Sequence, residues 1–247
     1  MSVVMAEPHA ALPSRPRRKT QAKPSRDFRR LLAQLADLQS SYVTSEFAKN
    51  IEKQLLSLTK PGTTSFTRIV SLGLGSLSST EKGQTRRLRQ LTLLLAIQDT
   101  LQKQTQSPIE VYAQDPAFTK QDEAMLSSLN VRILRTASGS SLGEAADVID
   151  ASTLIYSPFL TLDAYEQLLV ESKRPVQYVI GDDFNALLDK WPKYSAERAQ
   201  VQKVTKAGLG RYQRKAILGT GFWEEIDGAF PMAVYAAQNR VNEKAKI

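Results

Sequence analysis

The chain has 247 residues, no cysteine and a single histidine, His9. Without cysteine, disulfides, thiolate nucleophiles, zinc–thiolate sites and iron–sulfur ligation are excluded within it. Since His9 lies among the prolines of the first residues, the remainder has no histidine for a Ser–His triad, a histidine base or a multi-histidine metal site. Any catalysis there falls to carboxylates, Lys, Arg, Tyr, Ser or backbone groups. Long apolar runs are also missing. The longest, 91–97, is interrupted by Thr92 and falls far short of the roughly 20 residues a bilayer span needs, so no membrane segment is expected. No apolar stretch follows the first basic residues, so no secretory signal is expected either.

What is present is 42 % hydrophobic residues, enough for one sizeable core. The net charge is +8, and residues 1–30 hold eight Lys/Arg against Glu7 and Asp27, or +6 of it. Basicity therefore belongs to an appendage and says little about what the core binds. Residues 1–24 contain Pro8, Pro13, Pro16 and Pro24 and are expected to be disordered. Within them Arg-Pro-Arg-Arg-Lys, 15–19, is either a solvated tail or a patch for nuclear import or nucleic-acid contact. One α/β domain is expected over 25–247, with the sheet core at about 66–185 and helical and edge elements over 186–247.

Apolar spacing predicts two amphipathic helices first. Phe28, Leu31, Leu32, Leu35 and Leu38 mark one, and Phe47, Ile51, Leu55 and Leu58 the other after Ser45. Lys60-Pro61-Gly62 stops the second. Strands are then expected at 69–72, 109–112, 131–134, 153–156 and 176–180. Helical segments alternate with them at 85–102, 120–129, 142–149 and 162–171, a pattern that predicts a Rossmann-like three-layer fold with a mainly parallel sheet. A basic helix over 195–206 and an edge strand over 229–235 complete the reading, with a looser glycine-containing region between them.

Ligands of open parallel sheets settle beyond the C-terminal ends of the strands. The candidates there are Gly73, Gly75 and Ser76 after the first strand and Asp115 after the second. Ser157 follows the fourth, and Gly181, Asp182 and Asp183 follow the fifth. Gly73-Leu74-Gly75-Ser76-Leu77-Ser78 is an incomplete G-x-G-x-x-G with Ser78 in place of the third glycine. Asp115 either grips ribose hydroxyls or simply ends a strand in an Asp-Pro turn. Asp182 and Asp183 either hold a hard cation, with Asp115, or cap the next helix. Arg86, Arg87 and Arg89 near a helix start oppose its dipole unless an anion sits there. Alternatively, Ser78-x-x-Glu81 begins the helix earlier and leaves them on an exposed face.

Taken in order, Leu72-Gly73-Leu74-Gly75-Ser76, the leucine-rich 90–95, Asp115-Pro116-Ala117-Phe118, Tyr156-Ser157-Pro158 and Val179-Ile180-Gly181-Asp182-Asp183-Phe184 resemble the Sensitivity to Red Light Reduced (SRR-like) family over about 66–185. Phe159 stands where that family often has histidine, and Asp182 and Asp183 where it often has Asn-Ser. The resemblance implies a regulatory eukaryotic protein of the cytoplasm or nucleus, linked to circadian and light signalling, haem-biosynthesis regulation or cytoskeletal stability. It implies no established reaction. Protein partners are expected, with a nucleotide-like ligand at the strand ends contacted by Gly73, Gly75, Ser76 and Asp115. Two rivals stand beside it: an S-adenosylmethionine-dependent methyltransferase using the same glycine turn and acid, and nucleic-acid binding through the N-terminal tail.

Overall fold

The structure, a computed structural model, describes residues 26–59, 66–172, 176–225 and 228–238. The basic stretch 1–24 and Lys60-Pro61-Gly62 lie outside the described residues.

Helices α1 (Arg26–Thr44) and α2 (Glu46–Leu58) come first. Their three- and four-residue apolar spacing puts Leu31, Leu35 and Tyr42, then Phe47, Ile51, Leu55 and Leu58, on buried faces. Ser45 separates them: its backbone turns extended and its Oγ accepts the Ala48 N–H at 3.0 Å, capping α2.

Seven strands follow: β1 (Arg68–Leu72), β2 (Glu110–Gln114), β3 (Val131–Leu134), β4 (Thr153–Ser157), β5 (Tyr178–Asp182), β6 (Tyr212–Ala216) and β7 (Met232–Ala237). They form one sheet in the order β3-β2-β1-β4-β5-β7-β6. The first five pair in parallel, and β7 runs antiparallel to both β5 and β6. The chain is thus a mixed α/β protein with a mainly parallel sheet, as the alternating pattern predicts.

The C-terminal part needs two corrections. The predicted edge strand at 229–235 is an inner strand, β7, whose Met232 to Tyr235 are buried between two neighbours. The edge on that side of the sheet is β6, Tyr-Gln-Arg-Lys-Ala, with β3 at the other edge. Its polar composition gives no apolar run to detect, and charged side chains suit an edge that must not pair further.

On one face lie α1, α2, α3 (Gln84–Thr105) and α4 (Lys120–Ser128). The other face carries α5 (Ala145–Val148), α6 (Leu162–Glu166), α7 (Phe184–Lys190) and α8 (Ala196–Lys203). Helices α6 and α8 each run on into a π-helical turn, Gln167–Glu171 and Val204–Gly208. Helix α3 contributes to the apolar core together with residues of α1, α2 and the sheet, so it is buried all round from Leu88 to Leu94, with Arg89, Gln90 and Thr92 included. The connection from β6 to β7 clasps the first two helices: the Phe47 N–H donates to Thr220 O at 3.3 Å, Phe222 stacks on Phe47 and meets Tyr42 edge-on, and Arg89 of α3 pairs with Glu224. Among the described residues no helix is long and apolar enough to cross a membrane.

Candidate functional site

The strand order reverses at β1, which pairs with β2 on one side and β4 on the other. Such a reversal leaves a crevice at the C-terminal ends, because connections from the two sides diverge to opposite faces. Here the chain leaves β1 through Gly73 and Gly75, with φ of +78° and +73°, a region that side-chain-bearing residues rarely enter. A Cβ at Gly75 would also meet Arg87 Cδ at 2.6 Å.

Two carboxylates hold this turn. The Gly75 N–H donates to Asp115 Oδ2 at 2.7 Å, and the Ala117 N–H donates to Asp115 Oδ1 at 2.8 Å. Ser76 Oγ donates to Asp122 Oδ2 at 2.8 Å and the Ser78 N–H to Asp122 Oδ1 at 2.7 Å. Asp122 also closes a capping box with Thr119 at the start of α4. Burial pushes the Asp122 carboxyl up, but the Thr119 N–H, the Ser76 hydroxyl and the Ser78 N–H outweigh burial and hold it below its usual range.

Beside the turn is a cleft of about 130 Å³ lined by Gly73, Gln114, Asp115, Phe159, Thr161 and, from the segment 138–142, Ser138, Gly139, Ser141 and Leu142, among others. A carboxylate offers about four acceptor positions, and two of those of Asp115 are taken by the bonds just described. The remaining positions suit a pair of hydroxyls. Gln114 fixes the facing wall, since its Nε2 donates to Leu142 O at 2.8 Å and its Oε1 accepts the Ala145 N–H at 3.0 Å. Thr161 Oγ1 donates to Gly139 O at 3.0 Å and joins that wall to the β4 side.

The β4 and β5 candidates do not line this cleft. Gly181 and Asp182 are the last two residues of β5, and Ser157 is the last of β4, paired with Gly181. A Cβ on Gly181 would stand 2.6 Å from the Tyr165 hydroxyl and 2.7 Å from Ser157 Oγ, so this glycine permits close packing. Tyr165 donates to Ser157 O at 2.5 Å and receives the Asp182 N–H at 3.1 Å. Its single hydroxyl proton is thereby committed, and Asp182 Oδ2 lies at 3.2 Å from the same oxygen. The firm donor left to the Asp182 carboxyl is the Phe159 N–H at 3.3 Å. Burial therefore dominates, and pushes the Asp182 carboxyl up to about 7. Phe159 itself sits at φ +64°, a strained conformation for a bulky residue, and lines the cleft.

Asp183 parts company with Asp182. It caps α7 by accepting the Asn185 N–H at 3.0 Å and forms a two-pronged ion pair with Arg214. Among the described residues no group of three or more acidic or histidine side chains could hold a metal ion. Ser78 and Glu81 do not start α3: the helix begins at Gln84 behind Gly83. Arg86 and Arg87 consequently stand in its first turn, as one of the two sequence readings has it.

Of the predicted residues, then, Gly73 and Asp115 line the cleft, Gly75 and Ser76 flank it with their donors turned to carboxylates, and Ser157, Gly181 and Asp182 are buried around the Tyr165 hydroxyl and do not line it. Sequence reasoning missed Asp122, Tyr165, Phe159 and the 138–142 wall. Thr119-x-x-Asp122 was the available signal for the first. A left-handed phenylalanine leaves no mark in sequence.

The SRR1 domain model matches residues 38–225, more than half of the chain. The chain belongs to the SRR1 domain family. The structural core of this SRR1 domain also resembles solved structures at low identity. Cofactor-bound Rv0187 from MTB is 10 % identical over 84 % of this chain and 89 % of its own, with a TM-score of 0.43. A provisionally named O-methyltransferase from Klebsiella pneumoniae is 14 % identical over 87 % and 91 %, at 0.43. Aeropyrum pernix fibrillarin with natively bound S-adenosyl-L-methionine is 10 % identical over 76 % of both chains, at 0.41. No curated protein matches the SRR1 domain chain significantly in sequence.

Proposed function

We propose that this protein is a regulatory SRR1-domain protein that binds a nucleotide-like small molecule at its strand ends and acts through protein partners. One observation carries the ligand reading: the cleft over the strand reversal is bordered by the Asp115 carboxylate, which is fixed in place by Gly75 and retains acceptor positions for a ribose diol. Its volume of about 130 Å³ is below the roughly 300–1,000 Å³ of small-molecule sites. Entry of a whole nucleoside therefore requires the 138–142 wall to move outward. The regulatory side of the reading is supported by the family resemblance.

A methyltransferase using S-adenosylmethionine is the second reading, because methyl transfer requires positioning more than acid–base groups and the same glycine turn and acid serve that nucleoside. Calorimetric titration of the full chain with adenosine and S-adenosylmethionine separates the outcomes. Gly139 provides the control variant: a Cβ there would reach Pro116 Cγ only at 3.9 Å and Thr161 Cγ2 at 4.0 Å, so Gly139→Leu fills the cleft mouth without a backbone clash. Micromolar binding that disappears in G139L is expected. Heat from S-adenosylmethionine with methyl release to an acceptor supports the second reading, and silence from both compounds overturns the nucleoside site.

A further inference from the structure

The first turn of α3 holds two guanidinium groups that converge on one point. If Gly83 carried a Cβ, Arg86 Nη2 would lie 3.3 Å from it and Arg87 Nη1 3.4 Å from it. Arg87 is tied down: it donates to Ser79 O at 3.0 Å and Lys82 O at 3.4 Å, and its stem fills the space left by the missing Gly75 side chain. Arg86 has a different environment. Its guanidinium lies 4.4 Å over the centroid of Phe159, the aromatic wall of the cleft, and no carboxylate among the described residues pairs with it. The buried Nε atoms of both arginines have no hydrogen-bond partner.

This arrangement runs against ordinary helix electrostatics. Cations in a first turn face the positive end of the peptide dipoles, and neighbouring like charges repel. Burial, and after it the Arg86 charge, hold the Arg87 guanidinium below its usual range. Glu81, and after it Asp122 and Asp115, offset part of the charge of Arg87, and the two aspartates are already held by backbone N–H groups of the glycine turn. The Nε of Arg86 is buried, but its two terminal Nη groups remain to donate from a position over the Phe159 ring.

We propose that Arg86, backed by the charge of Arg87, is a subsite for a phosphate group at the rim of the strand-end cleft. The ligand class is then a phosphate-bearing nucleotide, its sugar toward Asp115 and its phosphate beside Gly83. The sugar half of this statement rests on the nucleoside reading above; the phosphate half does not.

Three probes test the two halves separately on the full chain: adenosine, adenosine monophosphate and inorganic pyrophosphate, each titrated into wild type and Arg86→Gln. A charge-assisted, forked contact supports a preference of about tenfold or more. Wild type should bind the monophosphate at least about tenfold more tightly than adenosine, with R86Q losing that preference and leaving adenosine affinity unchanged. Pyrophosphate alone should bind wild type and not R86Q. Arg86→Lys, which keeps the charge but loses the fork, should retain only part of the preference and controls for misfolding of R86Q. Equal affinity for adenosine and its monophosphate in wild type, or a preference surviving in R86Q, overturns the phosphate subsite while leaving the nucleoside reading intact. Pyrophosphate binding that depends on Arg86, with adenosine silent, overturns the nucleoside reading and keeps the subsite.

Discussion

At the scale of single residues, Asp182 has the clearest measurable signature. Its carboxyl is pushed up from 3.8 to about 7 by burial, so between those values the folded protein binds a proton that the unfolded chain has lost. Stability should then fall as pH rises from about 4 to about 7 and level off above, the opposite of an ion-paired carboxylate. Asp182→Asn removes the charge and keeps an acceptor for the Phe159 N–H. Thermal melts should show D182N more stable than wild type at pH 8, with little difference at pH 4. A wild-type advantage at pH 8 would show that the ionised carboxylate is well solvated. The sequence offered helix capping as one reading of Asp182 and Asp183, which Asp183 meets, but it did not tell the two apart; their fates diverge because alternate residues at a strand end face opposite ways. One turns to the buried Tyr165 hydroxyl, the other to Arg214 on the edge strand.

Among the elements, the β1–α3 connection depends most on one side chain. Asp122 serves the glycine turn and the start of α4 at once, so Asp122→Ala removes a cap and leaves the Ser76 hydroxyl and Ser78 N–H without their acceptor. A loss of about 3 kcal/mol is expected in urea unfolding. A change under about 0.5 kcal/mol would mean that water replaces the carboxylate. How legible each element was follows from the same physics. Strands β1, β4 and β5 are buried on both faces and announce themselves as apolar runs, β2 and β3 are short β-rich runs only partly buried, and α1 and α2 each bury one stripe. Strand β6 is polar because it is an edge, and α3 hides its orientation because it is surrounded. The cleft was half legible: Gly73 and Asp115 follow from the rule that strand ends carry ligands, whereas Phe159 and residues 138–142 reach it through loop geometry that no periodicity encodes.

For the whole molecule, the β6–β7 connection joins the two ends of the described chain. Phe222 is 2 % exposed and touches Tyr42, Phe47 and Trp223. Phe222→Ala should cost about 3–5 kcal/mol, and hydrogen exchange should quicken selectively in α1 and α2. Uniform acceleration across the sheet would instead show that the N-terminal helices do not open separately. The position of β7 has a further consequence for how the protein is made. As the nascent chain leaves the ribosome, β5 emerges before the strand that covers its outer side, and β6 emerges with nothing to pair with. Until residues 232–237 arrive, β5 presents a bare row of N–H and C=O groups. Translation that stalls or stops just short of that point should yield polypeptides that clump and are cleared, while those released a few residues later stay dispersed.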